Sequence, residues 1–138
     1  AMEIVNKAQV SLSDFTGVDP LRPSRGVVVH FFNRESGGAN LPTLNRVARR
    51  YDNRDIQVLA VSVDSGDLGG LSTWVGGLRL DYPVLRDNHR VVFNRFGVSE
   101  LPLTVVIDGD GRVYAIGKPD GTELEESIGA ELDGLLAR

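Results

Sequence analysis

The sequence predicts an α/β fold with a central mixed sheet of four to five strands and helices on both faces. In the first half of the chain, apolar β-branched runs alternate with amphipathic segments, as in a parallel β-α-β unit. Near the end, two apolar runs joined by a glycine-aspartate turn precede another amphipathic segment, as in an antiparallel β-β-α unit. The 138 residues suit a single domain. We expect a core over 27–138 after an N-terminal extension and leading loop over 1–26.

Three elements make up the first half of the predicted core. A proline- and glycine-containing loop, Thr16–Gly26, leads into the apolar run Val27–Phe32, which reads as a strand covered on both faces. Leu41–Tyr51 has helical periodicity, and Pro42 fits the first turn of that helix. Ile56–Asp64 is a second buried strand, so the two strands should be joined by a right-handed parallel crossover.

The middle of the chain predicts shorter elements. Apolar residues at helical spacing indicate a second helix; they are Leu71, Trp74, Val75 and Leu78. This helix should end near Gly76-Gly77 or Leu80. Trp74 is interpreted as a core residue because of its spacing. The stretch "DYPVLRD" should be a short strand, because Pro83 restrains the residue before it to extended conformations. A brief third helix is expected around Val92, Phe93 and Phe96.

The last third predicts a hairpin and a C-terminal helix. Two strands in "LPLTVVIDGDGRVYAIG" should join at Asp108–Gly111, because glycine and aspartate tolerate the positive φ of tight turns. Thr122 and Glu125 have the spacing of a capping box. The helix that follows should bury an apolar stripe made of Leu124, Ile128, Leu132, Leu135 and Leu136.

Composition excludes several functions. The net charge of −4 argues against sequence-independent nucleic-acid binding, which requires a basic surface. The apolar runs are far shorter than the roughly 20 residues that cross a bilayer, so no membrane insertion is expected. The charged stretches at Arg46–Arg50 and Glu123–Glu126 are interpreted as solvated helix faces. No signal segment follows the first residues, although a cleaved or omitted leader stays open.

Three strings resemble the thioredoxin-like superfamily, in its TlpA-like and peroxiredoxin-related (redoxin, AhpC/TSA-type) branch. "VSLSDFTG" at Val10–Gly17 resembles the segment before the first central strand, and "LPTLNRVARRY" resembles the helix whose N-terminal end carries the family's CxxC motif. "DYPVLRDNHRVVFNRFGVSELPLTVVIDGDGRV" is similar to the family's "FPVL-D…YGV…-LPTTFLID-DGRI" region. The resemblance implies a thioredoxin fold, a thiol-disulfide oxidoreductase ancestry and an extracytoplasmic location.

The active-site motif departs from this family. Relatives carry a string such as "FWATWCPPCRAE" where this chain has the shorter "FFNRESGGAN", and the whole chain contains no cysteine. The cysteine positions therefore fall on Arg34 and Gly37 or on Ser36 and Gly37, depending on where the two missing residues are placed. A serine hydroxyl cannot replace a thiolate in thiol-disulfide exchange, because it has no two-electron redox couple. The degenerate active-site positions are Arg34, Glu35, Ser36, Gly37 and Gly38.

The resemblance also places the family's cis-proline at Pro102. We expect a cis bond between Leu101 and Pro102, facing the degenerate turn. In relatives the backbone beside this proline pairs with an extended substrate segment. The same groove is a candidate binding site here.

Other chemistry at this place is less favoured. A serine nucleophile would need a base such as His30, Glu35 or His89, but His30 lies in an apolar strand and is interpreted as structural. Asp108 and Asp110 suit a hairpin turn better than a calcium loop. We therefore predict no catalytic residue, no metal and no cofactor.

Two further polar features have ordinary interpretations. Asp64 and Asp67, after the second strand, favour a loop or capping role. The segment Ser36–Gly38 at a helix N-terminus could hold an anion, but glycines with Ser36 or Asn40 as cap also describe an ordinary helix start.

Three hypotheses follow. The favoured one is a redox-inactive binding or structural module that accepts an extended peptide or protein segment in the former active-site groove. The second is an oxidoreductase family member whose activity is lost or depends on a partner's cysteines. The third is an anion or small-ligand site at Ser36–Gly38. Partner identity and oligomeric state stay open.

Overall fold

The computed structural model describes residues 2–3, 24–64, 68–87 and 100–138. Its strands are β1 (Met2–Glu3), β2 (Gly26–Phe32), β3 (Ile56–Ser62), β4 (Val84–Arg86), β5 (Leu103–Asp108) and β6 (Val113–Gly117). Its α-helices are α1 (Leu41–Arg50), α2 (Leu68–Leu78) and α3 (Leu124–Leu136). Short 3₁₀ turns span Gly38–Asn40, Asp52–Arg54 and Gly121–Glu123.

In the described part of the chain, these strands form one mixed sheet in the order β1-β4-β3-β2-β5-β6. β2, β3 and β4 run parallel, whereas β5 lies antiparallel to β2 and β6 antiparallel to β5. The expected parallel β-α-β and antiparallel β-β-α halves are confirmed, and with them the α/β class. The two-residue strand β1 extends the expected sheet at its β4 edge.

Alternate residues of the strands form two apolar clusters on opposite faces of the sheet. Val28 and Phe32 of β2 belong to the cluster that packs under α1, α2 and α3. Val27, Val29 and Phe31 belong to the cluster on the other face, which is equally buried. Both faces of β2 are therefore covered, as its continuous apolar sequence predicts.

The first two helices end within two residues of the predicted positions. The apolar residues Leu41, Leu44 and Val47 of α1 are buried, in agreement with its helical periodicity. The Tyr82 hydroxyl donates to the Leu41 carbonyl at 2.7 Å, which fixes the start of this helix. α2 ends at Leu78, between the predicted positions Gly76-Gly77 and Leu80, and the Arg79 that follows has a left-handed φ of 53°.

The predicted capping box of α3 is wrong. Asp120 instead caps the preceding 3₁₀ turn, its carboxylate accepting from the Gly121 N–H at 2.9 Å. Glu125 pairs with Arg46 of α1 at 3.2 Å. The apolar stripe of α3 is buried as expected.

The arginines of α1 occupy an exposed face, as expected, and they are ion-paired. Arg46 pairs with Glu125, as described above, and Arg49 pairs with Asp81. The Arg50 guanidinium lies 3.9 Å from the Asp133 carboxylate. These exposed pairs leave the basic stretch with little uncompensated charge.

No helix within the described ranges is both long and apolar enough to span a membrane. Several expectations lie outside these ranges: the segment Val10–Gly17, the third helix around Val92, Asp67 and His89.

Candidate functional site

The degenerate motif forms a tight turn at the C-terminal end of β2. The Asn33 N–H donates to the Ser36 carbonyl at 3.0 Å, and the Ser36 N–H donates to the Asn33 carbonyl at 3.1 Å. The Asn33 side-chain Oδ1 also accepts from the Ser36 N–H, at 2.6 Å. Arg34 and Glu35 are thereby left exposed at the tip of the turn.

Gly37 closes this turn directly against Pro102. Its φ of +93° is left-handed, and a Cβ built on it would lie 2.6 Å from the Pro102 Cβ. The bond between Leu101 and Pro102 is cis, which confirms that prediction. A side chain at position 37, including that of a cysteine, therefore meets both a backbone penalty and a steric overlap.

His30 forms the floor beneath Gly37. Its side chain is 0% exposed, its Nδ1 lies 3.0 Å from the Thr104 hydroxyl, and its Nε2 lies 3.5 Å from the Gly37 carbonyl. Burial lowers the pKa of His30 to about 4, although the Gly37 carbonyl and the Asp120 charge act in the opposite direction. The ring is neutral at physiological pH, and the prediction of a packed structural histidine is confirmed.

Trp74 of α2 forms one wall of the site, which its interpretation as core did not anticipate. It is half-buried and packs on the core, but a Cβ built on Gly38 would lie only 3.0 Å from its Cη2. The Arg34 guanidinium lies over the indole ring, with Cζ 4.8 Å from the ring centroid. Trp74 is thus both a core residue and a support for the exposed arginine.

Asp64 ties the turn to the end of β3. Both of its carboxylate oxygens lie 3.2 Å from the Arg34 backbone nitrogen, and the Ser62 hydroxyl donates to it at 2.8 Å. This is the loop role expected of Asp64. The Arg34 and Ser36 amides are thus already bonded to the chain's own oxygens, which leaves less for an external anion.

Asn40 joins the start of α1 to the loop before α3. It is 3% exposed, and its Oδ1 accepts from the Gly121 N–H at 3.1 Å instead of capping α1. Ser36 does not cap this helix either, so neither expected cap residue has that role. The Asn40 Nδ2 is buried and has no hydrogen-bond partner in the described structure.

The structure gives His30 and Asp108 partners within the fold. Both His30 nitrogens face Thr104 and Gly37, so this histidine is not placed as a base for Ser36. Asp108 instead organises the hairpin, accepting from the Asp110 and Arg112 N–H groups at 3.0 Å. Within the described ranges, no group of three or more acidic or histidine side chains is arranged to hold a metal.

The backbone beside Pro102 lies outside the strands of the sheet. Leu101 and Pro102 are half-buried and precede β5, whose pairing with β2 begins at Leu103 opposite Phe31. Leu101 makes no backbone hydrogen bond with the described residues.

Comparisons with known proteins agree with this fold. Residues 2–116 match the model of the AhpC/TSA family. The thiol-disulfide oxidoreductase ResA of Bacillus thuringiensis is 25% identical over 121 residues, which cover 85% of this chain and 65% of that protein. ResA of Geobacillus thermodenitrificans is 27% identical over 126 residues, covering 90% of this chain and 67% of that protein. The chain thus spans about two thirds of the length of these relatives.

Solved structures show the same fold. A conserved protein from Geobacillus kaustophilus superimposes with a TM-score of 0.83 at 18% identity, covering 99% of this chain and 77% of that one. A secreted Mycobacterium tuberculosis disulfide oxidoreductase homologous to E. coli DsbE superimposes with a TM-score of 0.71 at 20% identity, covering 99% and 92%. At these identities, the structural matches establish the thioredoxin fold.

Proposed function

The chain belongs to the AhpC/TSA family, and from this premise we propose that it is a redox-inactive binding module. Its former active-site face, made of the turn 33–38 with Leu101 and Pro102, accepts an extended segment of a partner protein. The observation that carries this proposal is the closure of Gly37 on Pro102 in a chain without cysteine. At position 37, which both possible registers equate with a cysteine, a Cβ would overlap Pro102, whereas Leu101 makes no backbone hydrogen bond with the described residues.

Redox inactivity follows from the chemistry of the residues present. Thiol-disulfide exchange requires a thiolate that attacks a disulfide sulfur, and this chain has no sulfur nucleophile. Its one methionine is a thioether and cannot perform this exchange. The ResA relatives share the scaffold, but their oxidoreductase activity does not transfer to this chain.

Binding of an extended segment follows from what the face retains. Main-chain pairing at an unpaired edge provides affinity without any particular side chain. Arg34 and Trp74 add a planar cation stacked on an aromatic ring, and arginine and tryptophan are enriched among residues that dominate binding energies. The face thus combines an open backbone with two anchoring side chains.

A reductase assay tests the first half of the proposal. The isolated chain should reduce insulin no faster than the dithiol reagent alone, with a cysteine-containing relative as positive control. Turnover above that background would overturn redox inactivity.

Crosslinking tests the second half. A photoreactive amino acid in place of Glu35, at the exposed tip of the turn, should form a defined adduct with a partner in cells. The matched control has the same group in place of Asp110, on the exposed hairpin between β5 and β6. If adducts form equally at both positions, or at neither, the binding proposal fails.

The partner captured in this adduct also distinguishes the binding module from the alternative in which activity depends on a partner's cysteines. In that case the captured partner should be a thiol protein whose disulfide exchange accelerates when this chain is added. A partner with unchanged exchange kinetics leaves the chain as a binding module alone. The extracytoplasmic location stays a prediction from the family resemblance, tested by a reporter fusion to the natural full-length protein.

A further inference from the structure

α2 is the most loosely packed of the three described helices. From Gly70 onwards, its only fully buried residues are Leu71 and Val75, at 4% and 3% exposure, while Trp74 and Leu78 are partly buried. Its backbone also stays farther from the other described elements than that of α1, which lies close to α3 and β3. Because short helices depend on tertiary packing, two buried side chains leave α2 weakly held to the sheet.

The sequence of α2 adds little stability of its own. It reads LGGLSTWVGGL, in which four of eleven residues are glycine, the poorest helix former after proline. A Cβ built on Gly76 or Gly77 meets no atom within 4 Å, so packing does not require glycine at either position. Arg79, directly after the helix, has a left-handed φ of 53°, which is strained for a residue with a long side chain. Unwinding the last turn of α2 releases this strain.

This loosely held helix carries one wall of the former active-site face. The Trp74 Cη2 lies 3.0 Å from the position of a Cβ on Gly38, and the Arg34 guanidinium covers the indole. The indole also lies beside Phe32, with the ring centroids 6.3 Å apart. Since even a methyl group on Gly38 would crowd the indole, a segment that runs from Leu101 across the turn to Arg34 meets a closed wall.

We propose that α2 is a lid on this face. The helix opens locally and lifts Trp74 from Gly38, the partner segment enters above the turn, and the indole then rests on the segment instead of on the glycine. Weak packing and poor helix propensity keep the free energy of this opening well below that of global unfolding. The inference rests on the proposed function and adds its regulation, because the population of the open lid sets the affinity for the segment.

Amide hydrogen exchange of the free chain tests the opening. Relative to their rates in an unstructured chain, the amides of Trp74 and Val75 should exchange at least about 100-fold faster than those of Val28 and Val29 in β2. Gly76→Ala and Gly77→Ala should each slow the exchange of the α2 amides by about 2- to 5-fold, since alanine favours the helix.

A matched change in α3 shows whether the opening is local. Ala130→Gly replaces an exposed alanine of α3 and lowers its helix propensity by the same amount. It should speed the exchange of the β2 amides by about 2- to 5-fold and leave Trp74 and Val75 unchanged, because α2 opens while α3 stays folded.

The crosslink from position 35 tests whether the lid controls binding. The yield of this adduct, measured below saturation and at equal protein level, should fall about 4- to 25-fold when Gly76 and Gly77 are both replaced by alanine. Ala130→Gly should leave this yield unchanged, because it does not alter the population of the open lid.

The contrary outcomes separate the lid from the proposed function. If Ala130→Gly speeds the α2 amides as much as the β2 amides, α2 opens only when the whole fold unfolds, and the lid is overturned. An unchanged or higher adduct yield with both alanines overturns it as well, whereas the adduct of the chain with its glycines intact still supports the proposed function. If that chain gives no adduct, the proposed function fails and the control of binding by α2 fails with it, even where hydrogen exchange shows a local opening.

Discussion

The turn after β2 and the hairpin turn between β5 and β6 share their local chemistry. Each has a side-chain oxygen that accepts from a backbone N–H two or three residues later, on Asn33 in one and Asp108 in the other. Each contains a left-handed glycine, with a φ of +93° at Gly37 and +85° at Gly111. They differ in what surrounds them.

The recorded bonds that shape the hairpin turn lie within 108–112. Asp108 of this turn also lies 3.8 Å from Arg138. The turn after β2 contacts several residues that are far away in sequence, including Pro102, Trp74 and Asp64. Local chemistry is thus enough to form either turn, but Gly37 is enclosed by the rest of the fold, whereas Gly111 is exposed. The predictions below test that difference.

Replacing the left-handed glycines should give the largest difference. Gly37→Ala should destabilise the fold by about 2 to 5 kcal/mol, because left-handed strain adds to overpacking against Pro102. Gly111→Ala, at an exposed position, should cost only the strain of about 1 to 2 kcal/mol. Urea denaturation of both variants measures this, and equal losses would show that the contact with Pro102 contributes nothing.

The buried His30, which lies beneath Gly37, should make the stability of the fold depend on pH. Because burial lowers the pKa of His30 to about 4 from the unfolded value of 6.5, the unfolded chain binds the proton more tightly. Stability should therefore fall as pH drops from 6.5 towards 4, by about 3 kcal/mol for this residue. Comparing denaturation curves of the wild type and His30→Gln at pH 7 and pH 4 isolates this contribution. Parallel pH profiles would contradict it.

Much of the fold could be predicted because its signals are local. Apolar periodicity located β2, α1 and β3 to within two residues, and the aspartate-glycine pattern located the hairpin. The predictions failed for the residues that cap the helices, where several residues compete for one role. Thr122 had the right spacing for a cap, but Asp120 caps an additional 3₁₀ turn that precedes α3.

The site was less predictable because its contacts are long-range. The sequence indicated which residues line the turn, but not that Gly37 closes on Pro102 or that Asn40 bonds Gly121, 81 positions away. Helical spacing placed Trp74 in the core, and it gave no signal that the indole edge also reaches Gly38. Such contacts depend on how the elements pack together, as where Trp74 of α2 meets Phe32 of β2, and periodicity does not specify this packing.

Removing the Asp64 carboxylate, which holds the turn after β2 to β3, should lower the free energy of unfolding by an intermediate amount. Asp64→Ala removes the acceptor of the Arg34 N–H and of the Ser62 hydroxyl, and we expect a loss of about 1 to 2 kcal/mol. The control Asp110→Ala, on the hairpin, removes a carboxylate that makes no hydrogen bond or ion pair in the described structure. It should change the free energy of unfolding by less than about 0.5 kcal/mol. Amide hydrogen exchange should localise the Asp64 effect at Arg34 and Ser36. A loss spread evenly over the sheet would argue against a local tether.

The stack of Arg34 on Trp74 should contribute least to stability. An exposed cation-π contact contributes about 0.5 to 1 kcal/mol, so Arg34→Ala should lower the free energy of unfolding by no more than that. The sequence contains one tryptophan, so its fluorescence reports on this wall of the turn alone. The emission of Trp74 should change in Arg34→Ala and stay the same in Arg112→Ala, which removes an exposed arginine from the hairpin. If stability falls only slightly while the Glu35 crosslink is lost, Arg34 serves the partner rather than the fold. If the crosslink persists unchanged, the stack is a surface contact without a binding role.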